Sequence, residues 1–363
     1  MTTKTIIADK IASVAQHNNL QRKLRVSANI PCEEGVLVAV EILTNKSSYN
    51  TLELTSGRMA KISRGDIVVG ALGHRKALFG YSGHLPKNLS ADDTVQVLNI
   101  GGVLGICDSV NANFGAPFDA RVLGTVLEFP YLGERIGVPA RVGIEKLEPY
   151  PSIDTDSVPV VALAGTSMDS GKTAAASAII SRLRHHGYTV DAFKATGVSL
   201  RRDVLAMEDA GARNTAIFTD YGVVTTTSEN GPGVTRRMLT KLAAERPDAI
   251  VFELGDGLLG AYGVEAILHD PDIRASLTCV ILCANDPVAA WGGVRLLREE
   301  FDCQPDVVTG PATDNRVGKE IISERLDLPA LNAITDGPKL GDLVTTALGL
   351  RTTNQQDGKQ DDE

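Results

Sequence analysis

Residues 165–173 read Gly-Thr-Ser-Met-Asp-Ser-Gly-Lys-Thr and follow the short apolar run Val160-Val161-Ala162-Leu163-Ala164. An apolar strand that ends in a glycine-flanked turn, with Gly171-Lys172-Thr173 opening a helix, is built to hold a polyphosphate. Backbone N–H groups of the loop (Gly165, Thr166, Asp169, Ser170, Gly171) and the helix N-terminus face the anion. The Lys172 ammonium reaches the outer phosphates, and the Thr173 hydroxyl is placed to ligate magnesium. Five residues separate Gly165 from Gly171, one more than in the usual pattern. A strand-to-helix turn without a ligand is the competing reading, and Gly-Lys-Thr in this setting argues against it.

The chain has 363 residues, enough for two domains that each bury a core. Aromatic residues make up only 4% of it, which argues against base-stacking platforms for single-stranded nucleic acid. A net charge of −9 argues against broad attraction to nucleic acid or anionic membranes. The expected partners are a small-molecule substrate and further copies of the chain. Cys32, Cys107, Cys279, Cys283 and Cys303 are odd in number and scattered. Cys279 and Cys283 sit four apart in an apolar strand pattern, so they share one face as buried thiols rather than as a metal pair. The N-terminus has no signal-peptide apolar core and no apolar run approaches membrane-spanning length, so a cytoplasmic protein is expected.

Residues 1–24 read as a polar, helical segment over Ile6–Gln16, with Ile7, Ile11 and Val14 on one side. Residues 25–150 change to short β-rich runs punctuated by glycine, at Gly35–Leu43, Ile67–Leu72, Thr94–Ile100, Val122–Leu127 and Ala140–Ile144, the pattern of a small barrel or sandwich. Glu148–Pro159 is proline-rich and polar, a linker. Over 158–350 strands and helices alternate. The expected strands are Val160–Ala164, Thr189–Phe193, Ala249–Glu253, Thr278–Ala284, Asp306–Thr309 and Ala330–Ile334. Helices are expected over Lys172–His186, Val234–Ala244, Pro287–Arg298, Val317–Arg325 and Lys339–Leu348. The fold class is therefore α/β: a doubly wound, mostly parallel sheet preceded by a small all-β, barrel-like domain. Residues 352–363 offer nothing to bury and read as a disordered tail.

In such a sheet ligands sit beyond the carboxyl ends of the strands. The second strand ends in Lys194-Ala-Thr-Gly197 and the third in Glu253-Leu-Gly-Asp-Gly257, with Arg201-Arg202-Asp203 following the second. A lysine and two candidate acids thus converge near the loop mouth. Magnesium requires carboxylates there, because a hard cation wants oxygen ligands beside the phosphates and the loop hydroxyl.

Taken in order, Gly-Thr-x5-Gly-Lys-Thr, Lys-x-Thr-Gly and Glu-x-Gly-x-Gly resemble the dethiobiotin synthetase class of P-loop proteins. That resemblance implies ATP on the loop, Lys194 and Thr196 toward the substrate or reacting phosphate, and magnesium on Thr173 and Glu253. Asp203–Ala212, an acid seven residues ahead of Ala-Gly-Ala, is similar to the GTP-binding accessory protein of molybdenum-cofactor biosynthesis, which implies Asp203 as the second magnesium acid. A P-loop family that includes D-glutamate N-acetyltransferases shares the loop, an Ala-Thr-Gly after the second strand and a Glu-Gly-x-Gly type third end. These resemblances cover roughly residues 158–300. Two positions depart from the synthetase pattern: Ala195 stands where proline is usual, and Asp256 replaces a small residue.

Several residues carry a second reading. Gly197 and Asp256 are candidate substrate contacts, and Asp256 between glycines also suits a turn. Asn315 lies after a late strand, where this class grips the nucleotide base, or caps the helix that follows. Asp286 before Pro287 reads as a helix cap. Thr225–Ser228 reads as a solvated loop. In the β domain, Gly70–Pro86 is dense in His74, Arg75, Lys76, Tyr81 and His84, so Arg75 is a candidate for a substrate carboxylate and His74 or His84 for proton transfer. A solvated hairpin is the alternative. The resulting expectation is an enzyme that uses Mg-ATP to activate a small carboxylate or carbamate, with Lys172, Lys194 and Glu253 as catalytic residues. An acetyl-CoA-dependent N-acyltransferase and a nucleotide-binding accessory or switch protein are the alternatives.

Overall fold

The computed structural model describes residues 3–131, 133, 136–145, 152–155 and 157–352. The chain divides into two compact units. The first takes in Met1–Leu147, Val198–Arg202 and Phe218–Thr226, and the second Glu148–Gly197, Asp203–Ile217 and Thr227–Glu363.

In the first unit, five strands pair in a closed ring. Phe118–Glu128 lies antiparallel to Leu37–Ile42, which lies antiparallel to Ile67–Leu72. Ile67–Leu72 runs parallel to Val103–Val110, Thr94–Val97 pairs antiparallel to that strand, and it returns to Phe118–Glu128. Closure gives every strand in the ring a paired neighbour on both sides, which limits exposed backbone edge. Leu37, Val38, Ala39 and Val40 are all fully buried, which explains why this run is continuously apolar instead of alternating.

Residues 198–202 and 218–226 count with this unit, which the expected division at the 148–159 linker does not anticipate. The carboxylate of Glu53, fully buried, accepts from the Arg201 and Arg202 backbone N–H groups at 2.7 and 2.8 Å. Glu34 accepts from Val224 and Thr225 N–H, and Asp220 meets His17 at 2.6 Å.

The N-terminal helix expected within 1–24 is not found. Thr3–Ile7 is a strand antiparallel to Lys23–Ser27, and only Ser13–Asn18 coils, as a 3-10 helix. The reason lies in Thr3, Thr5, Ile6 and Ile7: β-branched residues favour extended backbone, with Ile6 buried and Ile7 exposed on opposite faces. The spacing of Ile7 and Ile11 imitated a helical stripe. Part of the expected linker (148–151 and 156), the two residues before it and the tail from 353 onward lie outside the described residues.

The second unit is a six-stranded, all-parallel sheet. Its order is Thr215–Ile217, Val190–Lys194, Ala249–Glu253, Val160–Gly165, Cys279–Cys283 and Val307–Thr309. Val161, Leu163, Val251 and Ile281 pack with Ile179 of helix Lys172–His185 and with Leu340 and Val344 of helix Gly337–Ala347. Residues of opposite parity are buried as well: the Phe193 and Phe252 rings stack at 4.8 Å. Cys279 and Cys283 are buried on one face, and burial pushes the Cys283 thiol up to about 12.

The strand expected at Ala330–Ile334 reduces to one bridge between Ala330 and Val308. Asn332 instead folds that stretch into a turn, its side-chain oxygen accepting from Ile334 and Thr335 N–H. Asp286 caps helix Pro287–Glu299 by accepting from Val288 and Ala289 N–H. No helix among the described residues is long and apolar enough to cross a membrane.

A charged tie locks helix Gly231–Ala243 to the residues that open helix Pro271–Ser276. The Arg236 guanidinium grips Asp270 at 2.7 and 2.8 Å, and both side chains are almost fully buried. Burial alone would raise the Asp270 pKa, but the Arg236 fork and the Ile273 and Asp272 N–H groups outweigh it and hold the pKa below the ordinary carboxylate range. A depressed folded-state pKa stabilises above the unfolded value of about 3.9 and is lost as pH falls through the folded value. Arg236→Met should therefore destabilise the protein by about 3–5 kcal/mol at neutral pH, by stranding a buried carboxylate. The gap between variant and wild type should narrow in urea melts taken below about pH 4.

Candidate phosphate-binding site

The central strand Val160–Gly165 delivers the loop, and helix Lys172–His185 departs from it. Gly171 turns the chain into the helix at φ +92°, a left-handed value that a side chain resists. Gly165 is required for space: a Cβ there would sit 2.5 Å from Ser170 Oγ and 2.6 Å from Lys172 Nζ. On the far side, Gly310, which follows strand Val307–Thr309, places its Cα 3.2 Å from where a Gly171 Cβ would stand.

Lys172 is 5% exposed, and its ammonium donates to Asp256 O at 2.6 Å, Ser167 O at 2.8 Å and Ser170 Oγ at 3.3 Å. All three acceptors are neutral. Desolvation lowers the lysine's pKa, and Glu253 is the largest influence opposing that. The cation thus lies under the loop on weak acceptors that a phosphate oxygen would outcompete.

Thr173 Oγ1 donates to Glu253 Oε2 at 3.0 Å. Glu253 ends the third strand, Ala249–Glu253, and is 3% exposed; burial first, and then the neighbouring Asp203, push its pKa up, against Lys194, Lys172 and the Thr173 bond. Lys194, at the end of strand Val190–Lys194, pairs with Asp203 at the start of helix Arg202–Asp209. Thr196 Oγ1 donates to Gly255 O at 2.8 Å, tying the second strand end to the third, and Gly197 follows at φ +134°. The residues assigned from the first three strand ends therefore meet: Lys172, Thr173, Lys194, Asp203 and Glu253 form one charged cluster.

Asp256 sits at φ +73°, and its buried carboxylate folds against its own loop beside Gly257 and Ala261, with burial raising its pKa. Its backbone oxygen, not its side chain, meets Lys172. Asn315 caps helix Arg316–Leu326 by accepting from Gly318 N–H at 3.0 Å. One residue that the sequence reading passed over joins the loop: Asn285 Nδ2 donates to Ser167 Oγ at 2.7 Å. Its signal was position, directly after the fourth strand and before the Asp286 cap.

The other candidates belong to the first unit. Arg75 is 4% exposed, bonded to Leu98 O and to the Tyr49 hydroxyl. His84 meets Asp108 at 2.8 Å, and His74 Nδ1 accepts from Leu85 N–H at 3.4 Å. Strands Arg75–Lys76 and Tyr81–His84 form an antiparallel hairpin. Thr225 bonds the His74 carbonyl at 2.6 Å.

A parallel sheet whose central strand feeds a Gly-Lys-Thr loop into a helix, with acids at the neighbouring strand end, defines a P-loop nucleotide-binding fold. No protein-family model matches the chain and no curated protein sequence does. Among solved structures it is similar to the signal recognition particle receptor FtsY from Elizabethkingia anophelis, at 15% identity over 53% of this chain and 67% of that one, TM-score 0.39. It is also similar to the hydrogenase maturation factor HypB from Archaeoglobus fulgidus, at 13% identity over 53% of this chain and 91% of that one, TM-score 0.36. A DUF1611 family protein from Anabaena variabilis aligns at 15% identity over 58% of this chain and 63% of that one, TM-score 0.38. Likenesses this distant say nothing about substrate, so the class rests on the sheet and the loop.

Gly165→Ala tests the geometry directly. The added methyl must displace Ser170 or the Lys172 ammonium, so nucleotide affinity by calorimetry, with ATP and GTP both titrated, should fall about tenfold or more, about 1.4 kcal/mol. Unchanged affinity would mean that the phosphate does not use this loop.

Proposed function

We propose that the second unit binds a magnesium nucleotide, ATP in the first instance, and uses it to activate a small carboxylate or carbamate by phosphorylation. The observation that carries this reading is the Thr173–Glu253 contact beside a buried Lys172. Hydroxyl and carboxylate are hard oxygen donors, which suits magnesium, and the buried Glu253 carboxylate is disfavoured as an anion until a cation accompanies it. Among the described residues no cluster of three or more His, Cys, Asp or Glu stands ready for a metal. A site built on Thr173 and Glu253, with Asp203 nearby, therefore leaves the remaining positions to phosphate oxygens and water. When bound, the metal would neutralise charge developing on the transferred group.

The chain's own residues supply the rest. Lys172 exchanges its carbonyl acceptors for phosphate oxygens. Lys194, held by Asp203 until then, is the cation nearest the second strand end, where the acceptor would lie in line with the outer phosphate. Thr196 and Gly197 shape that end of the site. Such transfer is mostly positioning and charge neutralisation, so a nucleophile–base pair is not required. The same reading takes the sheet as doubly wound and the first unit as a small barrel.

Full-length protein incubated with ATP and a panel of small carboxylates and amines should release ADP only when acceptor and magnesium are both present. Glu253→Gln should slow that release about a hundredfold while ATP affinity changes only a few fold, since charge stabilisation is strongest in the transition state. Lys172→Ala should stop turnover in a chain that still melts cooperatively. Product formed from acetyl-CoA in the presence of a chelator would instead establish acyl transfer. Acceptor-independent GTP hydrolysis as the sole activity would establish a switch or accessory protein.

A further inference from the structure

The hairpin segment singled out in the sequence surrounds a feature that phosphate binding leaves unexplained. In the first unit two cations flank one tyrosine. Lys46 Nζ lies 5.5 Å from the Tyr81 ring centroid and the Arg75 guanidinium 6.0 Å from it, with Arg75 also 5.8 Å from the Tyr49 ring. Among the described residues, neither cation is within ion-pairing distance of a carboxylate. Burial lowers the Lys46 pKa, and it raises the Tyr81 phenol to about 12, so the phenol keeps its proton.

The hydrogen bonds have a consistent polarity. Lys46 donates to the Tyr81 hydroxyl at 2.9 Å, to Phe114 O at 2.9 Å and to Ala116 O, which uses all three of its protons. Arg75 donates to the Tyr49 hydroxyl at 3.0 Å. Each phenol oxygen is thus an acceptor toward a cation, which leaves its own O–H, polarised by that cation, to give away. Tyr49 and Tyr81, with Lys46 and Thr51, line one small recess whose enclosed space, about 10 Å³, admits one water-sized group. The two rings meet edge to face at 5.5 Å, and Tyr49 is held at φ +49°, a conformation costly for a bulky residue.

We propose that this recess is a binding site for a small monoanion, a carboxylate head or a halide, which accepts from the Tyr49 and Tyr81 hydroxyls while Lys46 and Arg75 supply the compensating charge. The groups offered to the anion are the two phenol protons, backed by Lys46 and Arg75, while Ile62, Val97, Ile100 and Phe118 supply apolar lining; no carboxylate lines the recess, which disfavours a metal ion or a free amine. The narrowness of the recess excludes a nucleotide or a whole coenzyme. Arg75 and Lys46 act as positioning residues: their protons go to phenols and carbonyls, and they orient and polarise the hydroxyls that touch the ligand.

The test uses acetate and chloride on the full-length protein. Saturation-transfer NMR should show saturable acetate binding that chloride displaces, with the tyrosine Cζ resonances of Tyr49 and Tyr81 shifting along the same isotherm. Tyr49→Phe and Tyr81→Phe keep the rings and remove the donors, and each should weaken acetate about tenfold or more. Because the acceptor proposed for the second unit is itself a small carboxylate, the isotherm is read from the Tyr49 and Tyr81 resonances, which belong to the first unit and separate this site from the phosphate loop. The proposal fails if the wild type shows no saturable acetate or chloride response. It fails equally if both phenylalanine variants bind acetate as the wild type does, or if neither tyrosine resonance moves in the wild type.

Discussion

A buried ammonium organises the P-loop unit. Lys172 emerges at the first position of its helix, loses most of its hydration, and is supported only by two backbone carbonyls and a serine hydroxyl. Desolvating a cation against neutral acceptors is unfavourable, and its lowered pKa expresses that. The surrounding glycines follow from it. Gly165 leaves the volume in which Nζ sits. Gly257 lets the third strand's loop approach within contact of the phosphate loop, since a Cβ there would stand 2.8 Å from Thr166 O and 2.9 Å from Ser167 Cα. The same close approach carries the Asp256 carbonyl to the lysine. The loop is thus folded around a cation that its own backbone binds less well than an anion would.

The first unit solves a different problem. Its ring is closed by strands distant in sequence, and two excursions from the later half of the chain complete it. Those excursions are held by carboxylates accepting from backbone N–H: Glu53 from Arg201 and Arg202, Glu34 from Val224 and Thr225. Charge-assisted bonds to main chain are stronger than neutral ones and indifferent to the side chains they capture. Val224 lies inside the core cluster of this unit, so the excursions contribute apolar burial as well.

What could be read from the sequence follows from how local each cause is. The phosphate loop, its strand and its helix are specified within fourteen residues, 160–173, and appear where the residue pattern places them. Lys194 and Glu253 were readable because a parallel strand ends where its apolar run ends. The carboxylate tethers were not, because nothing near Glu53 or Glu34 announces a partner nearly 150 or more residues away. The N-terminal strand was misread since two isoleucines four apart satisfy a helical stripe as well as a strand, and only the pairing with Lys23–Ser27 decides. Asn315 could be read two ways from local sequence, and its side-chain oxygen is spent on the Gly318 N–H. Arg75 stood out by chemistry alone, and tertiary packing turned its guanidinium onto a tyrosine and a carbonyl.

The charge balance of the P-loop cluster leads to a further step. Lys172 and Lys194 face Asp203, Glu253 and Asp256, so full ionisation leaves the cluster one negative charge in excess. Asp203 already pairs with Lys194, and burial raises the pKa of both Glu253 and Asp256. A polyphosphate entering alone would add several negative charges to a buried region that already disfavours two of its own. Lys172 could compensate only one of them. Binding without an accompanying cation would therefore disfavour the Glu253 anion further, whereas a divalent ion held by Thr173 and Glu253 would supply the compensating charge. If the second unit binds a magnesium nucleotide as proposed, metal dependence would follow from the charge count before any catalytic step. It should therefore appear in the binding isotherm: ATP titrated with a chelator present should bind at least about tenfold more weakly than Mg-ATP. The difference should shrink in Glu253→Gln, where the unfavourable anion has been removed. Equal affinity for free and magnesium-bound ATP in the wild type would show that Glu253 takes no part in metal binding.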